Sequence, residues 1–466
     1  MSSTDTQRAR SPRIVIVGGG ASGLLTARAL LADGRPADVT IVEPRADLGA
    51  GLAYGTRVRT HRLNVPASRM SALPDESDDF LRWLRVRSAN AGSEAFVARG
   101  VNAEYLAESL EGARASATHA CLRHVADEAR DVESAPEWSV HRANGPALPA
   151  DRIVLALGNP EPRDPLWDAR VTASLGARYV FNPWNDGALT GIASNAPVLL
   201  IGSGLTAVDV VLSLRDAGHR GSIFSLSRHG LVPAAHREGG VHVRQSNTIE
   251  VAAIRGSVRR LLSALREDTR RRIERGEGDG RDAVAGLRAH TQALWRSFDD
   301  RERRRFLAHL RTMWDVLRHR LPPDVAQEIA ALRREGTLTV RAGRLRGAQA
   351  DPHGIEIGWV PRGAAIVEFR RGAHVINATG PDADYRVDQT PLAAALHARG
   401  WLVPDRLGLG VRTETDGALV TTDPRANERF FTLGPPRIGD LWETTAIPEI
   451  RVQAVALARR LLDLGA

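Results

Sequence analysis

The chain contains no lysine: all 63 of its basic Lys/Arg positions are arginine. That absence removes whole chemistries. No Schiff base to a pyridoxal-type aldehyde can form, and the lysine of a nucleoside-triphosphate phosphate loop is missing. Cysteine is nearly absent as well, with Cys121 alone. One thiol cannot supply an intrachain disulfide, a redox-active pair, an iron–sulfur cluster or a cysteine-rich zinc site. No metal site is expected. Aromatic residues make up only 5% of the sequence, and no apolar run reaches the ~18 residues of a membrane span. Arg8, Arg10 and Arg13 ahead of Ile14 imitate a signal peptide, but Gly18, Gly19 and Gly20 break the run and no small-residue cleavage site follows. The expected location is the cytoplasm.

What is present is ordinary globular material, 466 residues and 43% hydrophobic, enough for two to three cored domains. The formal charge is +8. Arginine and acid are interspersed, however, and the all-arginine choice reads as codon bias. A nucleic-acid partner is not expected.

Ile14-Val15-Ile16-Val17 is a β-branched run of the kind buried on both faces of a parallel sheet. Gly18-Gly19-Gly20-Ala21-Ser22-Gly23 follows and opens a helix. In this G-x-G-x-x-G pattern Gly18 permits the tight turn, Gly20 lets backbone approach a diphosphate, and Gly23 lets helix and strand pack closely. The diphosphate then meets the unpaired N–H groups and positive dipole end of the helix, where Ser22 also lies. Twenty residues on, Glu43 ends the next strand and suits the hydroxyls of an adenosine ribose.

The pattern returns. Val198-Leu199-Leu200-Ile201 leads into Gly202-Ser203-Gly204-Leu205-Thr206-Ala207, a G-x-G-x-x-A turn before a second helix. The following strand ends in Ser227-Arg228-His229, with no acid. An arginine there suits a 2′-phosphate and so favours NADPH over NADH; the alternative is an arginine lying on solvent. Two apolar strands end alike, at Leu157-Gly158-Asn159 and at Ala378-Thr379-Gly380. Gly158 and Gly380 would let backbone come close to a bound dinucleotide; the plainer reading is a strand stop.

The fold class expected is α/β, with two Rossmann-like dinucleotide-binding domains, the second inserted in the first, plus a helical insert. The boundaries read as 11–165 for the first part of the first dinucleotide-binding domain, 166–247 with 335–365 for the second, NAD(P)H-type domain, 248–334 for the insert, and 366–466 for the return of the first domain.

These motifs resemble the two-dinucleotide-binding-domain flavoproteins. Gly49 to Gly55, His61 to Pro66 and the tail Leu441 to Ile450 narrow the resemblance to a bacterial FAD/NAD(P)-binding group near the flavin N-monooxygenases, which oxidise amino-acid nitrogen. The resemblance implies FAD and NADPH as cofactors, and places Asn64 and Val65 near the isoalloxazine. It makes Thr444, Thr445 and Ala446 the start of a helix aimed at the pyrimidine end of the flavin, where a helix N-terminus stabilises negative charge. Asn64 and Thr444 are thereby the catalytic candidates. The F-x-G-x-x-x-H fingerprint of Baeyer–Villiger and flavin-containing monooxygenases is absent, since Phe181-Asn182-Pro183-Trp184 does not match it.

Function follows as an expectation: NADPH-dependent monooxygenation of a small molecule, with O2 as co-substrate and an amine nitrogen as the target. A flavin dehydrogenase without oxygen insertion and a redox-sensing binding module are the rivals. In the insert, Trp295, Phe298, Phe306, Leu310, Met313, Trp314 and Leu317 recur at helical steps and read as a core stripe. Arg270-Arg271-Arg272 and Arg303-Arg304-Arg305 read as solvated faces. Arg311, Arg318, His319 and Arg320 are the alternative substrate-facing set, and His61, His236 and His242 are candidate proton carriers, though loop histidines are more often structural.

Overall fold

The computed structural model describes residues 10–166, 168–237, 247–387 and 390–465. The chain divides into two compact units, one of residues 1–56, 66–160 and 383–466, the other of 57–65 and 161–382.

The first unit is built on β1 (Arg13–Val17), β2 (Ala37–Val42), β3 (Ala120–Val125), β7 (Arg152–Leu155) and β15 (Phe430–Thr432), in the parallel order β15-β7-β1-β2-β3. The β-branched run behaves as its composition demands: Ile14, Val15, Ile16 and Val17 are all buried. Each such side chain contributes roughly 1.5–3 kcal/mol. On one side, helix Ala21–Ala32 packs against helices Arg99–Ser116 and Ile447–Asp463. It is apolar nearly all round because it lies between a sheet and other helices. A small antiparallel sheet of β4 (Ala129–Glu133), β5 (Ser139–Arg142) and β6 (Leu148–Pro149) sends Val132, Val140 and Leu148 into the core beside Val15, Val17 and Ile153.

The second unit repeats the plan. β8 (Tyr179–Val180), β9 (Val198–Ile201), β10 (Ile223–Ser227), β11 (Leu338–Asp351), β12 (Gly354–Pro361), β13 (Glu368–Gly372) and β14 (His374–Asn377) run in the order β13-β12-β11-β10-β9-β14-β8. The strands from β8 to the start of β11 are parallel, while β11, β12 and β13 form an antiparallel meander. Between β10 and β11 come the helices of the insert, from Val251–Ile254 to Pro323–Arg334.

Three boundaries differ from the sequence reading. Residues 366–382 lie in the second unit, not with the returning first domain, because β14 is hydrogen-bonded alongside β9 through Val375–Leu199 and Ile376–Leu200. Residues 161–165 also join the second unit, held where the Arg163 carbonyl accepts from Asn377 Nδ2 and the Arg163 guanidinium pairs with Asp382. So does 57–65, since His61 Nε2 lies 2.9 Å from both the Asp209 carbonyl and Ser213 Oγ.

In the insert, Trp295, Phe298, Phe306 and Trp314 are buried and meet edge to face. Met313 is the exception to the stripe at 45% exposed. Arg272 is no solvated residue either: it is buried, with Nε donating to Asp268 at 2.7 Å one helical turn back. Arg270 faces out, paired with Glu267 and Glu274. No described helix is long and apolar enough to cross a membrane, and no group of three His, Cys, Asp or Glu among the described residues could hold a metal ion.

Candidate functional site

The two glycine turns are built from the same contacts. In the first, the Gly18 N–H donates to the Val42 carbonyl and the Ala156 N–H to the Val17 carbonyl, at 2.9 and 2.8 Å. In the second, the Gly202 N–H donates to the Leu226 carbonyl and the Ala378 N–H to the Ile201 carbonyl, both at 2.8 Å. Gly18 has φ +102° and a side chain there would stand 2.4 Å from the Ala156 carbonyl oxygen; Gly202 has φ +126° and would stand 2.2 Å from that of Ala378. The strand endings that looked alike in sequence thus perform one structural task, closing against the first glycine of each turn. That closure is why glycine stands there. Gly23 is squeezed in the same way, 1.9 Å from the Gly18 carbonyl oxygen by its would-be Cβ, so helix and strand can touch.

The middle glycines are different. Gly20 and Gly204 have ordinary extended backbone and cap helices Ala21–Ala32 and Leu205–Asp216 with no side-chain hydrogen bond. A Cβ on Gly20 would meet only the Gly51 Cα at 3.6 Å, and one on Gly204 would meet nothing within 4 Å. Several helices of the insert, by contrast, are closed by their own side chains, Glu250, Ser257, Asp279 and Asp299. The two turns therefore present bare amides and an open side, a cradle that fits a diphosphate. Ser22 is buried in the first helix, and Thr206 is the second residue of the other. Gly158 and Gly380 both take positive φ, with no atom crowding the open side of Gly158.

Glu43 stands just past the end of β2, buried, with one carboxylate oxygen accepting from the Gly19 N–H at 2.9 Å and the other from the Arg45 N–H at 3.1 Å. Each oxygen keeps a second lone pair, so the residue holds the turn and can still accept a ribose hydroxyl.

Asn64 and Val65 fall in the second unit, apart from the unit that carries Gly18 to Gly23. His236 Nε2 lies 3.0 Å from the Asn64 carbonyl oxygen. Together with the His61 bonds to Asp209 and Ser213, this makes both histidines anchors of residues 61–64, which answers the proton-carrier expectation for them. His242 lies outside the described residues. Arg320 is also spent internally: it is buried, Nε donates to the Leu317 carbonyl, and its guanidinium bonds the Arg281 carbonyl. Burial pushes its pKa down to about 10.

Thr444 is buried, and its hydroxyl is committed within the chain. It donates to the Gly434 carbonyl at 3.1 Å and accepts from Gln453 Nε2 at 2.7 Å, while Gln453 Oε1 takes the Gly434 N–H. This ring ties the end of β15 to helix Ile447–Asp463, whose N-cap, Ala446, makes no side-chain bond. What Thr444 offers a ligand is thus its backbone, whereas Thr445 is exposed.

Arg228 is exposed just past β10. Beside it the structure adds a residue that sequence reasoning missed. Burial, then the charges of Arg362 and Arg228, hold the His229 imidazole below its usual pKa, and the two segments meet where the Arg362 N–H donates to the Ala342 carbonyl at 2.8 Å and a side chain on Gly230 would stand 2.9 Å from Ala342. Arg362 lies past the end of β12, more than 130 residues downstream, and no local motif announces it. Two arginines on neighbouring segments suit a phosphate monoester. If a 2′-phosphate is held here, replacing Arg228 by Ala should remove a charge-assisted contact worth about 1.5–3 kcal/mol, weakening NADPH roughly 10- to 150-fold and leaving NADH unaffected. Parallel steady-state titrations with both nucleotides check this.

Residues 15–160 match a family model described as FAD-NAD(P)-binding. No curated protein matches the chain. Among solved structures, the chain is similar to the ornithine hydroxylase of Pseudomonas aeruginosa, at 15% identity and a TM-score of 0.64, covering 97% of this chain and 99% of that one. It is similar to the ornithine N-hydroxylase of Kutzneria sp. 744, solved with reduced FAD, NADP+ and L-ornithine, at 14% identity and 0.63, covering 98% and 100%. It is also similar to the bacillithiol disulfide reductase of Staphylococcus aureus, at 13% identity and 0.55, covering 98% and 99%. The chain thus shares the α/β fold of these hydroxylases and of this reductase.

Proposed function

We propose that the protein is an FAD-dependent, NADPH-consuming monooxygenase that oxidises the nitrogen of a small amine or amino acid. The observation that carries the reading is the duplicated turn, Gly18 closed against Ala156 and Gly202 against Ala378, each with an open middle glycine. Two such cradles on separate sheets call for two dinucleotides. The first would hold FAD through the amides of Gly20 to Gly23 and the Glu43 carboxylate, with Gly158 beside it. The second would hold NADPH through the amides at Gly204 to Thr206, with Gly380 beside it and the 2′-phosphate on Arg228 and Arg362. The backbone of Thr444 to Ala446, at the positive end of a 17-residue helix, would stabilise negative charge on the flavin pyrimidine. When bound, FAD supplies the hydride acceptance and oxygen activation that no side chain here can provide.

Among the similar folds, the amine-hydroxylase chemistry is the one these residues leave open. A disulfide reductase of this architecture needs a thiol pair, and Cys121 is alone. Its Sγ lies 3.5 Å from Asp38 Oδ1, and burial together with that carboxylate raises its pKa, the opposite of thiolate activation. The likeness to ornithine hydroxylases supports an amine substrate and O2 as co-substrate.

Anaerobic mixing with NADPH followed by O2 and candidate diamines or basic amino acids tests this. The expected result is bleaching of the flavin, then O2 uptake with one N-hydroxylated product per NADPH. Bleaching with electrons delivered only to an artificial acceptor, the amine unchanged, would make the protein a dehydrogenase. Absence of bleaching would end the redox reading.

A further inference from the structure

Among the described residues, the seven-stranded sheet has two outer strands, the two-residue β8 and, at the other edge, β13. Such an edge carries a row of backbone donors and acceptors ready for another strand, and soluble proteins ordinarily blunt it with lysine, proline or a covering loop. Every residue from Arg362 to Arg371 is exposed, and the stretch includes Ile366 at 79%, Val367 at 40% and Phe369 at 64%. These are three of the eight large hydrophobic residues left exposed on the described chain. Ile366 and Val367 lead into the strand and Phe369 is its one exposed apolar residue among Glu368, Arg370 and Arg371, so a strand added here must answer its charges as well as its ring.

The sequence of the edge, Val367-Glu368-Phe369-Arg370-Arg371, says which strand. Consider two copies paired antiparallel about a twofold axis perpendicular to the sheet. Residues that face each other must then share a side of the sheet, so only registers centred on a residue are allowed. Centring on Glu368 sets carboxylate against carboxylate, and centring on Arg370 sets guanidinium against guanidinium. Centring on Phe369 sets Phe369 against Phe369 on one side and, on the other, Glu368 against Arg370 twice over. Cross-strand aromatic and opposite-charge pairs are the favourable ones, and like charges directly opposed are not. Arg371 on the Phe369 side is already paired within its own chain, to Asp351 at 2.7 Å, so it brings no unpaired charge to the seam. Arg370 lies over the Phe224 ring, which holds it on the Glu368 side.

We propose that β13 is a self-association edge: two copies of this chain join β13 to β13, antiparallel, in the register centred on Phe369. The pairing makes one continuous fourteen-stranded sheet from two seven-stranded ones and buries the apolar stretch of each copy.

Analytical ultracentrifugation of the flavin-loaded protein over a range of concentrations, with charge-reversal variants, tests it. Wild type should show a concentration-dependent dimer. Glu368→Arg should face arginines with arginines and Arg370→Glu should face acids with acids. Each should weaken the dimer about tenfold or more, while flavin content and circular dichroism stay as in wild type. Mixing the two variants should restore a heterodimer, because each then presents the charge the other needs, and the double exchange E368R/R370E should dimerise alone. A wild type that stays monomeric throughout overturns the proposal. So does a dimer indifferent to both reversals, or well-folded variants that fail to associate on mixing.

Discussion

Gly20→Ala should give a folded, colourless protein. The residue has φ −68° and ψ −171°, a backbone open to any amino acid, and its new Cβ would make one ordinary contact, with Gly51 at 3.6 Å. The chain itself therefore has no objection, and the change in apoprotein stability should stay within about 1 kcal/mol. The methyl group does, however, enter the open side of the first turn, where a diphosphate must lie against the amides. Overpacking of this kind costs about 1–3 kcal/mol, or roughly a 5- to 150-fold weaker FAD affinity, enough to strip flavin during purification. Visible absorbance of the pure variant and titration with FAD measure it. FAD retained at wild-type affinity would mean that the diphosphate does not sit there.

The neighbouring glycine makes the control. Gly18→Ala forces a side chain into positive φ and to 2.4 Å from the Ala156 carbonyl oxygen, so flavin and fold should be lost together. Only the middle glycine separates binding from folding.

What could be read in sequence was what is local. The turns at Gly18 and Gly202 lie within a dozen residues of the strand and helix they join, and glycine has few other reasons to recur at that spacing. The strand ends Ala156-Leu157-Gly158 and Ala378-Thr379-Gly380 were legible as a pair, but not their sheet neighbours. Whether His374–Asn377 lies beside β1 or β9 is decided by hydrogen bonds to a strand almost 180 residues away, and strand order leaves no trace in composition. The same holds for residues 57–65, tied to the second unit by His61, and for Arg362, brought beside His229 by the meander. Thr444 shows a different limit. The resemblance put it at the start of a helix, yet the helix begins at Ile447 and the Thr444 hydroxyl went to Gly434 and Gln453, which no motif records. In the insert, periodicity found the aromatic stripe but could not tell Arg272, sealed against Asp268, from Arg270 in the same run.

Gly204→Ala should leave the protein yellow and blind to NADPH. A Cβ there meets no atom within 4 Å, and φ −80° with ψ −162° suits alanine as well as glycine, so folding and FAD content should match wild type. The methyl group instead projects from the N-terminus of helix Leu205–Asp216, where the second diphosphate would rest. The same overpacking of about 1–3 kcal/mol predicts a KM for NADPH raised roughly 5- to 150-fold, with dithionite still reducing the flavin normally. Read together, the two alanine variants assign the halves of the molecule. If the first turn holds FAD and the second NADPH, Gly20→Ala loses colour and Gly204→Ala loses only its reductant. A colourless Gly204→Ala beside a yellow, NADPH-blind Gly20→Ala would exchange the roles of the two folds while keeping both cradles. Both variants yellow and both reduced at wild-type rates would remove the diphosphates from the turns altogether, and the duplicated contacts to Ala156 and Ala378 would then be architecture without ligands.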